Sequence, residues 1–185
     1  MTLTTTIIDE FNQISIDTDR LSIKKLTPEY TADCLRHEQD EEMLKYIKDL
    51  PSLEEAKALV DMSAAPWSGE EGQWVTFAIV ERFSGSYIGE VFCRYESIEF
   101  KRIEIGFRLA KAFHQKGIMS EALSAFLAEV TRIATPIKFT GFCVAENTAS
   151  MKTMQKQGFE QEGLLRKHST LNGVWYDERV FGRVL

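Results

Sequence analysis

The sequence predicts an α/β (α+β) domain built on a mixed sheet, and three observations carry that prediction. Alternating apolar residues over 73–82, 87–96 and 101–110 read as three consecutive strands joined by short turns, an antiparallel arrangement. A helical stripe follows, with apolar residues at Met119, Leu123, Phe126, Leu127, Val130 and Ile133 in steps of three and four. A further strand over 137–145, after Pro136, completes a βαβ unit, so strands 101–110 and 137–145 should lie side by side and parallel.

The elements follow in order. "DRLSIKKL" (19–26) alternates with Leu21 and Ile23 on one face and reads as a first strand. "TPEYTADCLRHEQ" (27–39) has Thr27 at a cap position and Pro28 at the first helical position, so it opens a helix. A second helix starts at Ser52, where Ser52 and Glu55 form a capping box. "FSGS" (83–86) turns the first hairpin. "NTASMKTMQKQ" (147–157) is a short helix with Asn147 as N-cap and Gly158 just past its end. Strands over 159–169 and 174–184 turn at "LNG" (171–173). The Thr-rich residues 1–17 read as a loose N-terminal tail, with residues 18–185 as a single domain.

Composition narrows the function classes. Of the residues, 44% are hydrophobic and 27% charged, which is ordinary for a globular domain. No apolar run approaches the roughly 20 residues needed to span a bilayer, and the start lacks the basic and apolar regions of a signal peptide. The net charge of −6 argues against nucleic-acid and membrane-surface partners, which favour a basic face. Three distant cysteines, Cys34, Cys93 and Cys143, argue against a disulfide framework and for a reducing, cytoplasmic setting. None of the three histidines pairs with a cysteine at ligand spacing, so no metal is expected.

The stretch "HQKGIMSEA" (114–122) lies between a strand and a helix. A helix start offers about four unpaired N–H groups and a partial positive charge, an anion site by default. Gly117 permits positive φ or close backbone approach, and Lys116 adds charge. The stretch matches neither G-x-x-x-x-G-K-(S/T) nor G-x-G-x-x-G, which disfavours P-loop and dinucleotide sites. Two readings stand on the residues alone: a plain strand-to-helix turn, or a phosphate cradle.

"EIGFRLAKAFHQKGIMSEAL" (104–123), "ENTASMKTMQKQGF" (146–159) and "EGLLRKHSTLNGVWYDERVFG" (162–182), with "TDRLSIKKLTPEYTADCLRH" near the front, resemble the GNAT superfamily of N-acetyltransferases. The match is nearest to the branch acting on N-termini of ribosomal proteins and covers roughly residues 18–184. The resemblance implies a mostly antiparallel, V-splayed central sheet of six to seven strands flanked by about four helices. It implies acetyl-CoA as co-substrate, its pyrophosphate on the turn. Gln115, Lys116, Gly117, Ile118, Met119 and Ser120 are then cofactor contacts, mostly through N–H groups. Backbone groups of Phe107, Arg108 and Leu109 would pair with the pantetheine arm, and Asn147 would hydrogen-bond it. The family loop, usually (Gln/Arg)-x-x-Gly-x-(Gly/Ala), is departed from at His114 and Met119.

Catalytic roles are less direct. Many family members carry a tyrosine acid seven residues after the asparagine. Met154 stands there and cannot donate a proton. Ser150, three residues after Asn147, is the substitute that the ribosomal-protein branch implies, and it also stands among the expected cofactor contacts. Its plain reading is a hydroxyl bonded to local backbone. Glu104, in a strand expected to be central, either pairs with Arg102 or Arg108 or serves as a base or ammonium contact. His168 is either structural or a base near neutrality. Asp177 reads as structural, and Trp175 as a lining of the substrate mouth.

The implied reaction is direct attack of a neutral amine on the thioester, with developing oxyanion charge held by strand N–H groups. An α-amino group near pKa 7.7–8.0 costs about 1–1.4 kcal/mol to deprotonate at pH 7, and a lysine roughly 4.6. A site without a certain base therefore favours a peptide N-terminus, such as that of a ribosomal protein. Acetylation of a small amine (a polyamine, aminoglycoside or metabolite) is the alternative within the class. A non-catalytic acyl-CoA-binding regulatory module and a binding domain for another phosphate ligand are the alternatives outside it. Segment 27–72 is expected to shape the acceptor pocket. A homodimer is compatible with the sequence, which does not read out the assembly.

Overall fold

The computed structural model describes residues 2–185. The chain runs α1 (Thr5–Asn12), β1 (Ser15–Asp17), β2 (Leu21–Lys25), a 3-10 turn (Pro28–Tyr30), α2 (Thr31–Glu38), α3 (Glu41–Leu44), α4 (Leu53–Ala64), β3 (Val75–Glu81), β4 (Tyr87–Ser97) and β5 (Arg102–Leu109). A second 3-10 turn (Lys111–Phe113) precedes α5 (Ile118–Ala134), β6 (Lys138–Val144), α6 (Thr148–Lys156), β7 (Glu160–Leu171) and β8 (Val174–Val184). The eight strands form one sheet in the order β1-β2-β3-β4-β5-β6-β8-β7. Every pairing is antiparallel except β5 with β6. That exception is the βαβ crossover through α5. The class is the mixed α/β sheet that the sequence predicts, with one or two strands more than the six to seven expected. No helix among the described residues is long and apolar enough to cross a membrane.

The extra strand corrects the reading of residues 1–17 as a loose tail. Thr4 caps α1, β1 pairs with β2, and Phe11 is fully buried. The Phe11 ring packs 5.0 Å from Trp67 and 6.4 Å from Tyr95, between ring centroids. Asn12 clamps Trp67 from both sides: its Nδ2 donates to the Trp67 carbonyl (3.0 Å), and its Oδ1 accepts the Trp67 N–H (2.8 Å). Burying Phe11 contributes roughly 1.5–3 kcal/mol, and with Ile14 buried and Leu3, Ile7, Ile8 and Ile16 packed beside it the segment gains an order that local propensity leaves undecided. The helix expected over 27–39 is likewise two pieces, a 3-10 turn beginning at Pro28 and then α2, with the additional α3 capped by Asp40.

One face of the sheet carries the main core. Helix α5 lays Ile118, Met119, Ala122, Leu123, Phe126, Leu127 and Val130 against Leu21, Ile23, Phe77, Ile79, Val91, Ile103 and Ile105. The opposite face carries a smaller apolar cluster of Leu26, Cys34, Val60, Ala64 and Ala78 under α2 and α4. At the end of β2, Lys25 is nearly fully buried, and its ammonium donates to the carbonyls of Leu26 (2.8 Å), Ser63 (2.8 Å) and Ala65 (3.2 Å). Two of these are the C-terminal carbonyls of α4, so a lysine closes that helix end.

Candidate active site

The sheet opens where its strands run parallel, between β5 and β6. Strands β5 and β6 pair over Arg102–Glu104 and Lys138–Thr140 and no further. Beyond that rung Ile105–Leu109 stays with β4, and Gly141–Val144 stays with β8. Every second N–H and C=O of Ile105–Leu109 therefore points into the gap. Phe107, Arg108 and Leu109 all lie on this splayed stretch. At the base of the gap, a Cβ on Gly141 would come within 2.8 Å of Met154 Sδ. Met154 is buried in the core there, so the position expected to lack an acid is a packing position.

The turn into α5 lies at the end of β5. Gly117 adopts φ +73° and Gln115 φ +59°. A non-glycine residue in the left-handed region is strained, and such strain gathers at functional turns. Carbonyls on the turn are occupied: Arg20 Nη1 donates to Lys116 O (3.0 Å), Glu121 N–H to Gly117 O (3.1 Å) and Gln157 Nε2 to Ser120 O (3.0 Å). His114 Nε2 lies 2.8 Å from Leu109 O and ties the turn back to β5. By contrast, no N–H from Gln115 to Ser120 has an acceptor among the described residues, and Gly117 makes no side-chain cap. Ile118 and Met119 bury their side chains in the core, so only their N–H groups can serve a ligand. Six consecutive unpaired donors at a helix start are a setting in which anions bind. A Cβ on Gly117 would meet nothing nearer than Arg20 Nη2 at 3.8 Å, so the turn is open.

Glu104 sits beside the gap, and its partner differs from expectation. It lies directly opposite Arg94 on β4 and pairs with it, Arg94 Nε donating at 2.7 Å and Nη2 lying at 2.6 Å. Cross-strand neighbours on one face stand about 4.5–5.5 Å apart, closer than positions two or four along one strand, so Arg94 outcompetes Arg102 and Arg108. Arg102 instead pairs with Glu96, and Arg108 lies opposite Glu90. Burial pushes the Glu104 carboxyl above the usual range. Arg94 opposes that shift, and Glu96 and Glu178 add to it.

The Arg108 side chain points away from any ligand role. It is buried between Glu90 (Nε, 2.5 Å) and Glu38 (Nη1, 2.8 Å), and Glu90 also accepts from the Tyr87 hydroxyl (2.6 Å) and lies 2.9 Å from His37 Nδ1. Burial would raise Glu90, but the charge of Arg108 and the contact with His37 outweigh it and hold the carboxyl below its usual range. The network fastens α2 to β5, next to the splay.

On the far side of the gap, Asn147 Oδ1 accepts the Ser150 N–H (3.1 Å), the N-cap that the sequence predicts for α6. The Asn147 amide NH₂ has no acceptor among the described residues. The Ser150 hydroxyl neighbours the Cys143 thiol of β6, and burial pushes that thiol up to about 11. His168 is exposed on β7, beyond β8, and among the described residues it makes no hydrogen bond or ion pair with Glu104 or Ser150. Asp177 Oδ1 accepts the Lys167 N–H (2.8 Å) and holds the irregular stretch of β7. The β7–β8 turn reaches the segment after α3, where Asp49 Oδ1 accepts the Asn172 N–H (2.6 Å).

Two charged residues by the gap escape a reading of the sequence. Glu178 lies opposite Val144 on the β6–β8 arm, and its carboxylate makes no ion pair or hydrogen bond among the described residues. Arg20 reaches the turn from 96 residues away in the chain. Alternation along β8 could have flagged Glu178. No local signal marks Arg20.

A family model described as Acetyltransferase (GNAT) domain matches residues 20–160. The chain belongs to the GNAT acetyltransferase family. It is an N-acetyltransferase by class, as its relatives are named. It is 24% identical over 171 residues to the uncharacterized N-acetyltransferase YoaA of Bacillus subtilis, covering 91% of this chain and 96% of that one. It is 29% identical over 94 residues to the ribosomal-protein-serine acetyltransferase of Escherichia coli, covering 51% and 52% of the two chains. Among solved structures, a GNAT-family acetyltransferase from Bacillus anthracis aligns with TM-score 0.78 at 22% identity, over 92% of this chain and 98% of that one. The ribosomal-protein acetyltransferase RimL in complex with coenzyme A aligns with TM-score 0.82 at 20% identity, over 93% and 98%.

Proposed function

We propose that the chain transfers the acetyl group of acetyl-CoA to a primary amine, and that the amine is the α-amino group of a protein N-terminus, with ribosomal proteins the first candidates. The observation that carries the reading is the run of six free N–H groups at the mouth of the β5–β6 splay. The residues present fit the coenzyme. Gln115 to Ser120 would hold its diphosphate, the backbone of Phe107, Arg108 and Leu109 its pantetheine arm, and Asn147 an amide of that arm. Bound there, the thioester supplies the acetyl group. RimL, solved with coenzyme A, shares the fold and supports this choice.

The chain's own residues then manage protons and charge. The amine must be neutral to attack. Glu104 is the group we assign to take its proton, because a carboxyl raised by burial is a better base than an exposed one. Exposed His168 is the second candidate. Ser150 holds the proton that the departing sulfur requires. N–H groups of β5 stabilise charge developing on the carbonyl oxygen. An α-amino acceptor needs about 1–1.4 kcal/mol to deprotonate at pH 7 against roughly 4.6 for lysine, which suits a carboxylate base already engaged with Arg94.

The test is release of free thiol from acetyl-CoA in the presence of peptides with free N-termini, α-acetylated peptides that contain lysine, a polyamine and an aminoglycoside. Release with free N-termini alone is the expected result. Release with small amines alone would overturn the acceptor, and no release with any amine would overturn the reaction.

A further inference from the structure

The cradle of residues 115–120 is braced from outside by a residue to which the transfer chemistry gives no role. Arg20, just before β2, bridges two groups that bracket the free N–H run. Its Nη1 donates to the Lys116 carbonyl (3.0 Å), while its Nε (2.7 Å) and Nη2 (2.6 Å) meet Oε2 of Glu121, in the first turn of α5. Oε1 of Glu121 accepts from the Thr18 hydroxyl (2.6 Å) and the Arg20 backbone N–H (3.2 Å). Burial pushes the Glu121 carboxyl up, but the hydrogen bonds from Thr18 and Arg20 outweigh that and hold it below its usual range, so the carboxylate that orients Arg20 stays charged at neutral pH.

The geometry has a directional consequence. In a trans peptide the C=O and N–H point opposite ways. Arg20 holds the Lys116 carbonyl, which fixes the Lys116–Gly117 peptide plane and turns the Gly117 N–H to the other side. A guanidinium has five N–H donors in a planar fork. Three are engaged here, and two remain, with Nη2 3.8 Å from where a Cβ on Gly117 would stand. The other side-chain ties to the turn come from Gln157 and His114.

Resting on the acetyl-CoA reading above, we propose that Arg20 is a positioning residue for the coenzyme diphosphate: it locks the Lys116–Gly117 peptide with its N–H toward the diphosphate and keeps a cation at the cradle's edge. Glu121 and Thr18 are the mount that holds Arg20 in place. The N-terminal strand thus takes part in coenzyme binding, which is otherwise built from the second half of the chain.

The experiment measures binding of coenzyme A and of dephospho-coenzyme A, which lacks the 3′-phosphate, by calorimetry for the wild type, Arg20→Met and Arg20→Lys. KM for acetyl-CoA and for the amine are measured alongside. Arg20→Met should weaken both coenzymes about tenfold and raise KM for acetyl-CoA to match, while KM for the amine and the melting temperature hold. Arg20→Lys keeps a cation but has no fork to span carbonyl and carboxylate, so it should recover only part of the loss. Wild-type affinity in Arg20→Met overturns the inference. So does a loss confined to coenzyme A, which would place the contact at the 3′-phosphate, or an equal rise in both KM values, which would mark a structural role. Should Arg20→Met not fold, Arg20→Lys decides, and undiminished affinity there overturns the inference. A wild type that binds neither coenzyme fails earlier, and takes the acetyl-CoA reading with it.

Discussion

Helices α4 and α5 begin in opposite ways. At α4, Ser52 Oγ accepts the Glu55 N–H (3.3 Å) and Glu55 Oε2 accepts the Ser52 N–H (2.8 Å), a complete capping box. At α5, the longest described helix, Gly117 supplies no side chain, and no N–H from Gln115 to Ser120 has an acceptor among the described residues. Helices α1, α3 and α6 are capped by Thr4, Asp40 and Asn147, and α2 continues a 3-10 turn. A chain that satisfies its helix starts elsewhere leaves one open, at the point where its sheet also opens. An uncapped start forgoes about 1 kcal/mol, which is reasonable only where a ligand completes the bonds.

The largest expected effect comes from giving α5 what α4 has. Gly117→Asp is strained at φ +73°, though aspartate visits that region more readily than most residues, and it puts a negative charge at a helix start, which offsets part of that strain. The same charge opposes the diphosphate. Affinity for acetyl-CoA should fall about 100-fold, some 2.8 kcal/mol, while the melting temperature falls by no more than a few degrees. Calorimetric titration and thermal unfolding measured together decide it. Unchanged affinity would make the turn structural.

The other end of α4 supplies the next test. Lys25→Met leaves the carbonyls of Leu26, Ser63 and Ala65 without their donor and should destabilise the fold by about 2 kcal/mol in urea unfolding. Burial also pushes Lys25 from 10.5 down to about 8. Between those values the unfolded chain binds more protons than the folded one, so this group makes stability rise with pH. Subtracting the variant's pH profile from that of the wild type should reveal that rise between about pH 8 and 10.5, and a flat difference would refute it.

At the start of α6 the cap and the chemistry divide. Asn147 takes the Ser150 N–H, so Ser150→Ala leaves the cap intact and removes only a hydroxyl. We expect kcat to fall about tenfold, roughly 1.4 kcal/mol of barrier, with KM for acetyl-CoA unchanged. An unaltered kcat removes Ser150 as the proton source.

These contrasts also show where local reading stops. The box at Ser52, the cap at Asn147 and the turn at Asn172–Gly173, both at positive φ, were legible because partners three or fewer residues apart decide them. The α5 stripe was legible because its period is long and regular. Residues 5–17 were not, since Phe11 and Asn12 find order only against Trp67 and Tyr95. Glu104 found Arg94 across a strand rather than a neighbour along its own. The glycine turn into α5 was legible as a motif, but a sequence cannot show that its N–H groups stay free, nor that Arg20 holds the Lys116 carbonyl, because both depend on where distant carbonyls and carboxylates end up.

The smallest effect is the control that gives the comparison its meaning. Ser52→Ala removes one acceptor from the start of α4 and should cost about 1 kcal/mol of stability, a fall in melting temperature of about 2–4 °C at this chain length. Binding of acetyl-CoA and kcat should both hold, because α4 packs under β2 and β3 and gives no group to the cradle. Hydrogen bonds from Ser52 keep the Glu55 carboxyl below its ordinary 4.5, so the box contributes above that pH and is lost as pH falls through the folded value. The gap between wild type and variant should therefore close in acid. If Ser52→Ala weakened coenzyme binding as Gly117→Asp does, the two helix starts would not differ in kind, and the open start of α5 could not be read as a site.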